Sequence, residues 1–223
     1  MEYWFLHTPI GREILRLERN FLHNCVKNIF GKYSIQLFLN NINFLNGNKI
    51  VNHYSNHKDL FINCDSLPFK DNSIDLIICP HLLEYQDNYL YLIQEMYRVL
   101  APNGKVVITV FNQASWIGIR AKRIPALKSI HPLKLNTLKD DIAEVGFNII
   151  GGKFFSYCPP FKNAATIKKY NWLNKVGDRW FPTLANSFAL ILQKKEIMPN
   201  NIQPKVTLLN LSTPQVVAPC RKN

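Results

Sequence analysis

Residues 63–112, NCDSLPFKDNSIDLIICPHLLEYQDNYLYLIQEMYRVLAPNGKVVITVFN, decide the fold of this chain. Two segments, 75–79 (DLIIC) and 105–111 (KVVITVF), are almost continuously apolar and rich in β-branched residues, which is typical of strands buried on both faces of a parallel sheet. Between them, residues 87–100 carry apolar side chains at helical spacing. Parallel strands joined by a helix form a right-handed βαβ unit. The sequence therefore predicts an open α/β sheet with a ligand crevice at the carboxyl ends of its strands.

Four motifs follow one another along this stretch: DSLPF at 65–69, IDLII at 74–78, HLLE at 81–84 and RVLAPNG at 98–104. In this order they resemble the S-adenosylmethionine-dependent methyltransferases of the class I Rossmann-like type, specifically the type 11 family. The resemblance is dense from about residue 59 to 115 and extends over about 33–195. It implies a single Rossmann-like class I methyltransferase domain with a mostly parallel sheet and an antiparallel last strand at 187–193. It also implies methyl transfer from S-adenosylmethionine to an acceptor that the motifs do not identify.

The half of the domain that precedes residue 63 departs from the family pattern. Family members follow their first strand, here 34–39, with a glycine-rich loop that brings backbone amides close to the cofactor, but residues 40–48 contain only Gly47. The acidic residue that normally binds the ribose is also missing, because no Asp or Glu occurs between Glu18 and Asp59. The spacing to the next strand leaves room for one helix fewer than usual. We therefore expect a trimmed cofactor half, with weak or absent binding of S-adenosylmethionine.

Residues at the predicted strand ends form the expected cofactor site. The resemblance implies that Asp65, at the end of the third strand, binds the adenine amino group, although an Asp in this position also stabilises turns. Asn40, Ser66 and Leu67 complete the predicted cofactor-binding set together with His81. In the family the position of His81 faces the sulfonium end of the cofactor.

Two residues are candidates for catalysis. His81 directly follows the 75–79 strand and could act as a base or position the acceptor, but a structural histidine is an equal alternative. Asn112 follows the 105–111 strand and could direct its amide at the acceptor, or it could cap a turn. Glu84 is interpreted as structural.

Length and composition limit how the chain can be organised. Its 223 residues predict an amino-terminal helical cover (1–32), the methyltransferase-like domain (33–195) and an extended or disordered proline-containing tail (196–223). Five widely spaced cysteines form no Cys-x-x-Cys pair and the histidines do not cluster with them, so no metal site is expected. The chain lacks both a run long enough for a transmembrane segment and the order of a signal peptide, and this favours a cytoplasmic location.

Positive charge is concentrated in the second half. Residues 1–111 carry 10 Lys and Arg against 10 Asp and Glu, whereas the remainder of the 27 basic and 15 acidic residues, 17 against 5, lies in 112–223. An anionic partner is one interpretation: RNA, an acidic lipid surface or an acidic metabolite. A solvated basic surface is the other. Two alternative functions therefore stay open beside methyl transfer: a catalytically silent methyltransferase-like binding or regulatory protein, and a basic nucleic-acid-binding α/β module.

Overall fold

One six-stranded sheet organises the chain. The computed structural model describes residues 1–55, 66–161 and 163–194, so Asp65 and the predicted tail at 196–223 lie outside the described residues. The strands are β1 (Tyr33–Gln36), β2 (Asn52–Ser55), β3 (Ile74–Pro80), β4 (Leu100–Phe111), β5 (Phe147–Phe155) and β6 (Ser187–Lys194). Their order is β2-β1-β3-β4-β6-β5, in which β1 to β4 run parallel and β6 pairs antiparallel with both β4 and β5. The predicted mostly parallel sheet with an antiparallel last strand is confirmed.

Helices cover both faces of this sheet. They are α1 (Glu2–His7), α2 (Pro9–Val26), α3 (Tyr89–Val99), α4 (Trp116–Arg120), α5 (Leu135–Val145), α6 (Ala164–Lys169) and α7 (Trp172–Trp180). On one face, apolar residues of α2 share a core cluster with alternate residues of β3 such as Leu76 and Ile78. On the other face, α3 and α5 share a second cluster with Ile77 and Cys79. The period-2 alternation of β3 therefore separates two apolar layers, as expected for a strand buried on both faces.

The first long helix, α2, begins with a capped first turn and ends before Gly31. Thr8 caps α2 by accepting a hydrogen bond from the Gly11 amide, and Pro9 occupies the first turn. The helix ends at Val26 and not at Gly31. Gly31 instead allows the start of β1 to approach β3, because a Cβ there would lie 2.4 Å from the Asp75 side chain. The glycine is thus required for close packing and does not end the helix.

A loop replaces the helix that would normally join β1 to β2. Residues 37–51 contain no helix, as the short spacing predicts, and the chain reverses through positive φ angles at Phe38 (75°) and Leu39 (49°). Gln36 organises this loop from within. Its amide donates hydrogen bonds to the carbonyls of Phe38, Leu39 and Ile42 at 2.8–3.2 Å, and its Oε1 accepts one from the Phe44 amide at 3.0 Å.

We expect Gln36→Glu to destabilise the fold by about 3 kcal/mol or more, because a buried carboxylate would face carbonyl oxygens with no donor to offer them. The matched change Gln193→Glu removes a single amide hydrogen bond, to Asn103, at the exposed end of β6. It should cost less than about 0.5 kcal/mol. Urea unfolding of the two variants measures the difference, and equal midpoints would contradict the structural role of Gln36.

Candidate functional site

A polar cavity lies where β1 and β2 end. Its volume is about 320 Å³, at the lower limit for small-molecule pockets. The residues that line it are Gln36, Asn40, Asn43, Leu45, Asn46, Gly47, Asn48, His53, Tyr54 and Ser55. Most of these offer amide, hydroxyl or imidazole groups. Among the described residues, the buried Nδ2 of Asn48 has no hydrogen-bond partner, so a donor is free at the wall of the cavity.

The loop that borders the cavity is fixed from two sides. Asn40 accepts a 3.4 Å hydrogen bond from the Ser55 hydroxyl, which connects the loop to the end of β2. Asn41 donates from its side chain and its backbone amide to the Glu2 carboxylate at 2.5 and 3.2 Å. The amino-terminal helix α1 therefore holds the loop that stands in place of the glycine-rich loop.

The apolar residues of the loop do not fill the cavity. Phe44 is buried and borders a separate cleft against α2, where Leu15 and Arg19 are its neighbours. Leu45 is also buried, and it forms part of the cavity wall. Phe44 thus occupies space beneath α2, and the described residues of the loop leave the space at the strand ends open.

A buried ionic cluster lies at the ends of β3 and β4. His81 immediately follows β3 at a positive φ of 53°, and its side chain is fully buried. Its Nδ1 lies 2.7 Å from Glu84 Oε1, and its Nε2 lies 3.1 Å from Glu18 Oε2 on α2. Further donors satisfy the carboxylates: the Ser187 hydroxyl donates to Glu18 at 2.6 Å, and the Phe111 amide donates to Glu84 at 3.1 Å. We refer to Glu18, His81, Glu84 and Ser187 as the buried ionic cluster.

Aromatic rings enclose this cluster. The His81 ring lies 4.5 Å from the Phe111 ring and 4.9 Å from the Phe5 ring, centroid to centroid. Burial alone would lower the pKa of His81, but the charges and hydrogen bonds of Glu18 and Glu84 outweigh it and raise that pKa to about 10. Burial raises the pKa of Glu84, and the interaction with His81 opposes this only in part. At neutral pH the imidazole is therefore a cation held between carboxyl groups.

The other predicted catalytic residue, Asn112, is also engaged within the protein. Its amide donates to the carbonyls of Thr183 and Ala185 at 2.7 and 3.0 Å, and its Oδ1 accepts a hydrogen bond from the Ala114 amide. It borders a second cavity of about 320 Å³, away from Asn40. His81 and Asn112 follow neighbouring strands, yet the structure does not bring either of them to the wall of the Asn40 cavity.

The remaining predicted cofactor residues lie beyond β2 in the chain. Ser66 is exposed, whereas Leu67 is buried in the core cluster that faces α3. The Leu67 amide donates to Glu95 at 2.9 Å and its carbonyl accepts from Arg98 at 3.0 Å. Arg98 is the first residue of the RVLAPNG motif, so this motif fixes the DSLPF turn. The binding roles of Asn40, Asp65, Ser66 and Leu67 stay predictions.

Sequence reasoning missed Glu18, Gln36, Asn48 and Ser187. Glu18 could have been found, because it stands in line with Ile14 and Leu22 at intervals of four residues on the buried face of α2. Gln36 is a polar residue within an apolar strand, which is another usable signal. Asn48 and Ser187 have no local signal. Within residues 1–55, 66–161 and 163–194, no group of three His, Cys, Asp or Glu side chains is arranged to hold a metal ion.

Comparison with known proteins identifies the type of domain. Residues 47–108 match a family model described as a methyltransferase domain. Demethylmenaquinone methyltransferase of Bacillus cereus is 30% identical over 141 residues, which is 61% of this chain and 48% of the relative. The chain spans about half the length of the curated relatives it matches. The family-model match at 47–108 includes the motifs at 65–104 on which the resemblance was based.

Solved structures share the fold at low sequence identity. A chain from the complex between the Haloferax volcanii Trm112 methyltransferase activator and a methyltransferase has a TM-score of 0.62 at 12% identity, covering 87% of this chain and 97% of its own. A SAM-dependent methyltransferase from Archaeoglobus fulgidus has a TM-score of 0.59 at 17% identity, covering 86% and 97%. This shared fold confirms the predicted Rossmann-like methyltransferase fold. In the part of the chain that the structure describes, no helix is long and apolar enough to cross a membrane.

Removing Glu18 from the buried ionic cluster should be severely destabilising. We expect Glu18→Ala to cost about 3–5 kcal/mol, because it breaks a buried pair and leaves the Ser187 hydroxyl without its acceptor. Glu13→Ala on the same helix removes only a pair with the exposed Arg16, and it should cost less than about 1 kcal/mol. Chemical unfolding of both variants gives the comparison. A cost below about 1 kcal/mol for Glu18→Ala would show that the cluster does not hold α2 on the sheet.

The same cluster predicts how stability depends on pH. Since the folded-state pKa of His81 is raised from 6.5 to about 10, its contribution is fully present below about pH 6.5 and is lost as pH rises through 10. Between pH 7 and 8, below the pKa of about 8.5 of an unperturbed cysteine, the unfolding free energy should fall by up to about 1.4 kcal/mol per pH unit. His81→Gln should remove most of this slope. A parent protein whose unfolding free energy is constant over this range would contradict a protonated His81.

Proposed function

We propose, from the methyltransferase-domain match at residues 47–108 and the shared fold, that the chain transfers a methyl group from S-adenosylmethionine to an acceptor. The observation that carries the proposal is the position of the polar cavity at the carboxyl ends of β1 and β2. Open α/β sheets bind their ligands outside the carboxyl ends of parallel strands. The cavity therefore lies where this fold holds a cofactor.

The residues around the cavity fit such a cofactor in part. Positive φ at Phe38 and Leu39 gives the chain the sharp turn after β1 that glycines give elsewhere. The amide of Asn48, which has no partner among the described residues, supplies a donor, and Asn40 and Ser55 supply neutral polar groups in place of the usual carboxylate. Asp65, which directly precedes Ser66, is proposed for the adenine amino group on the basis of the resemblance. Because none of the described residues that line the cavity carries a carboxylate, we expect weaker binding than in relatives that retain one.

Methyl transfer requires the protein mainly to position the methyl donor and the acceptor. A sulfonium methyl group leaves by in-line displacement, so donor and acceptor must be aligned, and a base is needed only if the acceptor has to lose a proton. A buried, protonated His81 is not a base at neutral pH. We assign His81 and Asn112 as positioning residues: His81 fixes the end of β3 against α2, and Asn112 fixes the end of β4 against Thr183.

The basic second half supports an acceptor or partner with negative charge. The net charge of +12 arises from residues 112–223, and this half includes the segments that follow β4 at its carboxyl end. An acidic lipid surface, RNA and an acidic metabolite are the chemistries that such a surface would attract.

A second candidate function is a catalytically silent methyltransferase-like binding protein. The observation that favours it is the closed edge over β3 and β4, where Phe5 stacks on Phe111 and Trp4 contacts the same ring. An acceptor approaching from this side would meet the amino-terminal helices. Cofactor binding with no transfer to any acceptor would support this candidate.

Titration calorimetry of the full chain with S-adenosylmethionine tests the proposal. We expect a dissociation constant between about 1 μM and 1 mM, because the missing ribose and amide contacts each cost about 1–3 kcal/mol. Asn48→Leu should weaken binding about tenfold or more by removing the free donor. Asn148→Leu makes the same chemical change on β5, at the opposite edge of the sheet, and should bind as the parent does. No heat at millimolar cofactor with a folded protein would refute the proposal.

A further inference from the structure

Helix α7 and the turn that follows it expose an unusual amount of apolar surface. The exposed fractions are 55% for Trp172, 38% for Val176, 67% for Trp180, 59% for Phe181 and 48% for Leu184. We call these five residues the α7 face. Scattered exposed apolar residues are normal, but large aromatic side chains grouped on one short segment mark an interaction surface.

The opposite side of α7 is what anchors it to the domain. Gly177 packs directly on the Tyr157 ring, since a Cβ at this position would lie 2.3 Å from the ring. Asn174 accepts a 2.9 Å hydrogen bond from the Tyr157 amide. Trp172, Val176 and Trp180 follow each other at intervals of four residues, which separates them by about 40° around the helix and directs them away from this anchor. The geometry of α7 thus holds its apolar residues outward.

Positive charge accompanies the α7 face. Residues 163–184 contain Lys168, Lys169, Lys175 and Arg179, with Asp178 as their one acidic residue. Lys175 and Arg179 are exposed and lie on α7 next to the stripe of Trp172, Val176 and Trp180. An apolar stripe with cations at its margin is the arrangement by which a helix lies in the interface of an anionic membrane.

The α7 face lies at the same end of the molecule as the strand ends. The Thr183 carbonyl accepts a hydrogen bond from Asn112, directly after β4, and so places the turn before Leu184 at the carboxyl edge of the sheet. Helix α4 begins four residues after Asn112 and also exposes an aromatic and an aliphatic residue, Trp116 and Ile119. The Arg120 guanidinium lies over the Trp116 ring, at 5.4 Å from its centroid.

We propose that the α7 face docks on an anionic lipid bilayer, with its aromatic and aliphatic residues in the interface and the neighbouring cations on lipid phosphates. A bilayer suits this surface better than RNA does, because Val176, Leu184 and Ile119 offer no ring for base stacking but match the acyl boundary. Docking does not depend on methyl transfer. The role that we give to docking rests on the proposed function: docking brings the carboxyl edge of the sheet to an acceptor within the membrane.

Sedimentation of the full chain with sucrose-loaded vesicles tests the docking, with no S-adenosylmethionine present. Vesicles of phosphatidylglycerol and phosphatidylcholine should bind the parent at least tenfold more strongly than phosphatidylcholine alone, and binding should weaken as salt rises. Trp172→Gln with Trp180→Gln should lower the partition coefficient at least tenfold. Lys175→Gln with Arg179→Gln should lower it on the anionic vesicles and reduce its salt dependence.

Matched double variants elsewhere serve as controls. Phe30→Gln with Tyr91→Gln removes two exposed aromatic rings, and Lys139→Gln with Lys153→Gln removes two exposed cations, all outside α7. Both should bind vesicles as the parent does. Absence of parent binding, or equal binding of the tryptophan double variant and the parent, would overturn the proposal. Tighter binding of the parent to single-stranded polyuridine than to anionic vesicles would also overturn it, in favour of a nucleic-acid surface.

Discussion

The contact between Glu18 and His81 is the interaction on which the arrangement of this domain depends. Burying a carboxylate is unfavourable unless a charge partner and hydrogen-bond donors compensate, and Glu18 has His81 as the partner and Ser187 as a donor. These residues belong to α2, to the end of β3 and to the start of β6. Each element must therefore be in place before the carboxylate is satisfied. The contact consequently fixes the helical cover against the middle of the sheet.

This fixation divides the carboxyl edge of the sheet into two different parts. Over β3 and β4, Phe5, His81 and Phe111 pack ring against ring and exclude solvent. Over β1 and β2, the loop leaves a polar cavity, and Asn48 offers it a donor that has no partner among the described residues. His81, which the resemblance predicts to face the reacting end of the cofactor, is instead part of the structural support. The polar cavity of the edge lies on the β1 and β2 side.

The sequence predicts what local periodicity encodes. The strands β3 and β4, the helix α3 between them and the antiparallel β6 follow from apolar patterns. No role for Glu18 was predicted from the sequence. Its partners are distant in sequence, and no local pattern can indicate that a charge will be compensated by residues 81 and 187. Similarly, pairing with β6 carries β5 to Phe155 across an irregularity between Ile149 and Gly151.

The loop after β1 shows how a chain can replace glycine by hydrogen bonding. Left-handed backbone at a residue other than glycine costs about 1–2 kcal/mol, and this loop contains Phe38 and Leu39 in that region. The hydrogen bonds of Gln36 contribute about 0.5–1.5 kcal/mol each, and burial of Leu39 adds to them. The turn is therefore stable without a ligand. A cofactor entering the cavity meets a loop that is already ordered, so its affinity depends on the contacts that Asn40, Asn48 and Ser55 can offer and carries no cost for ordering the turn.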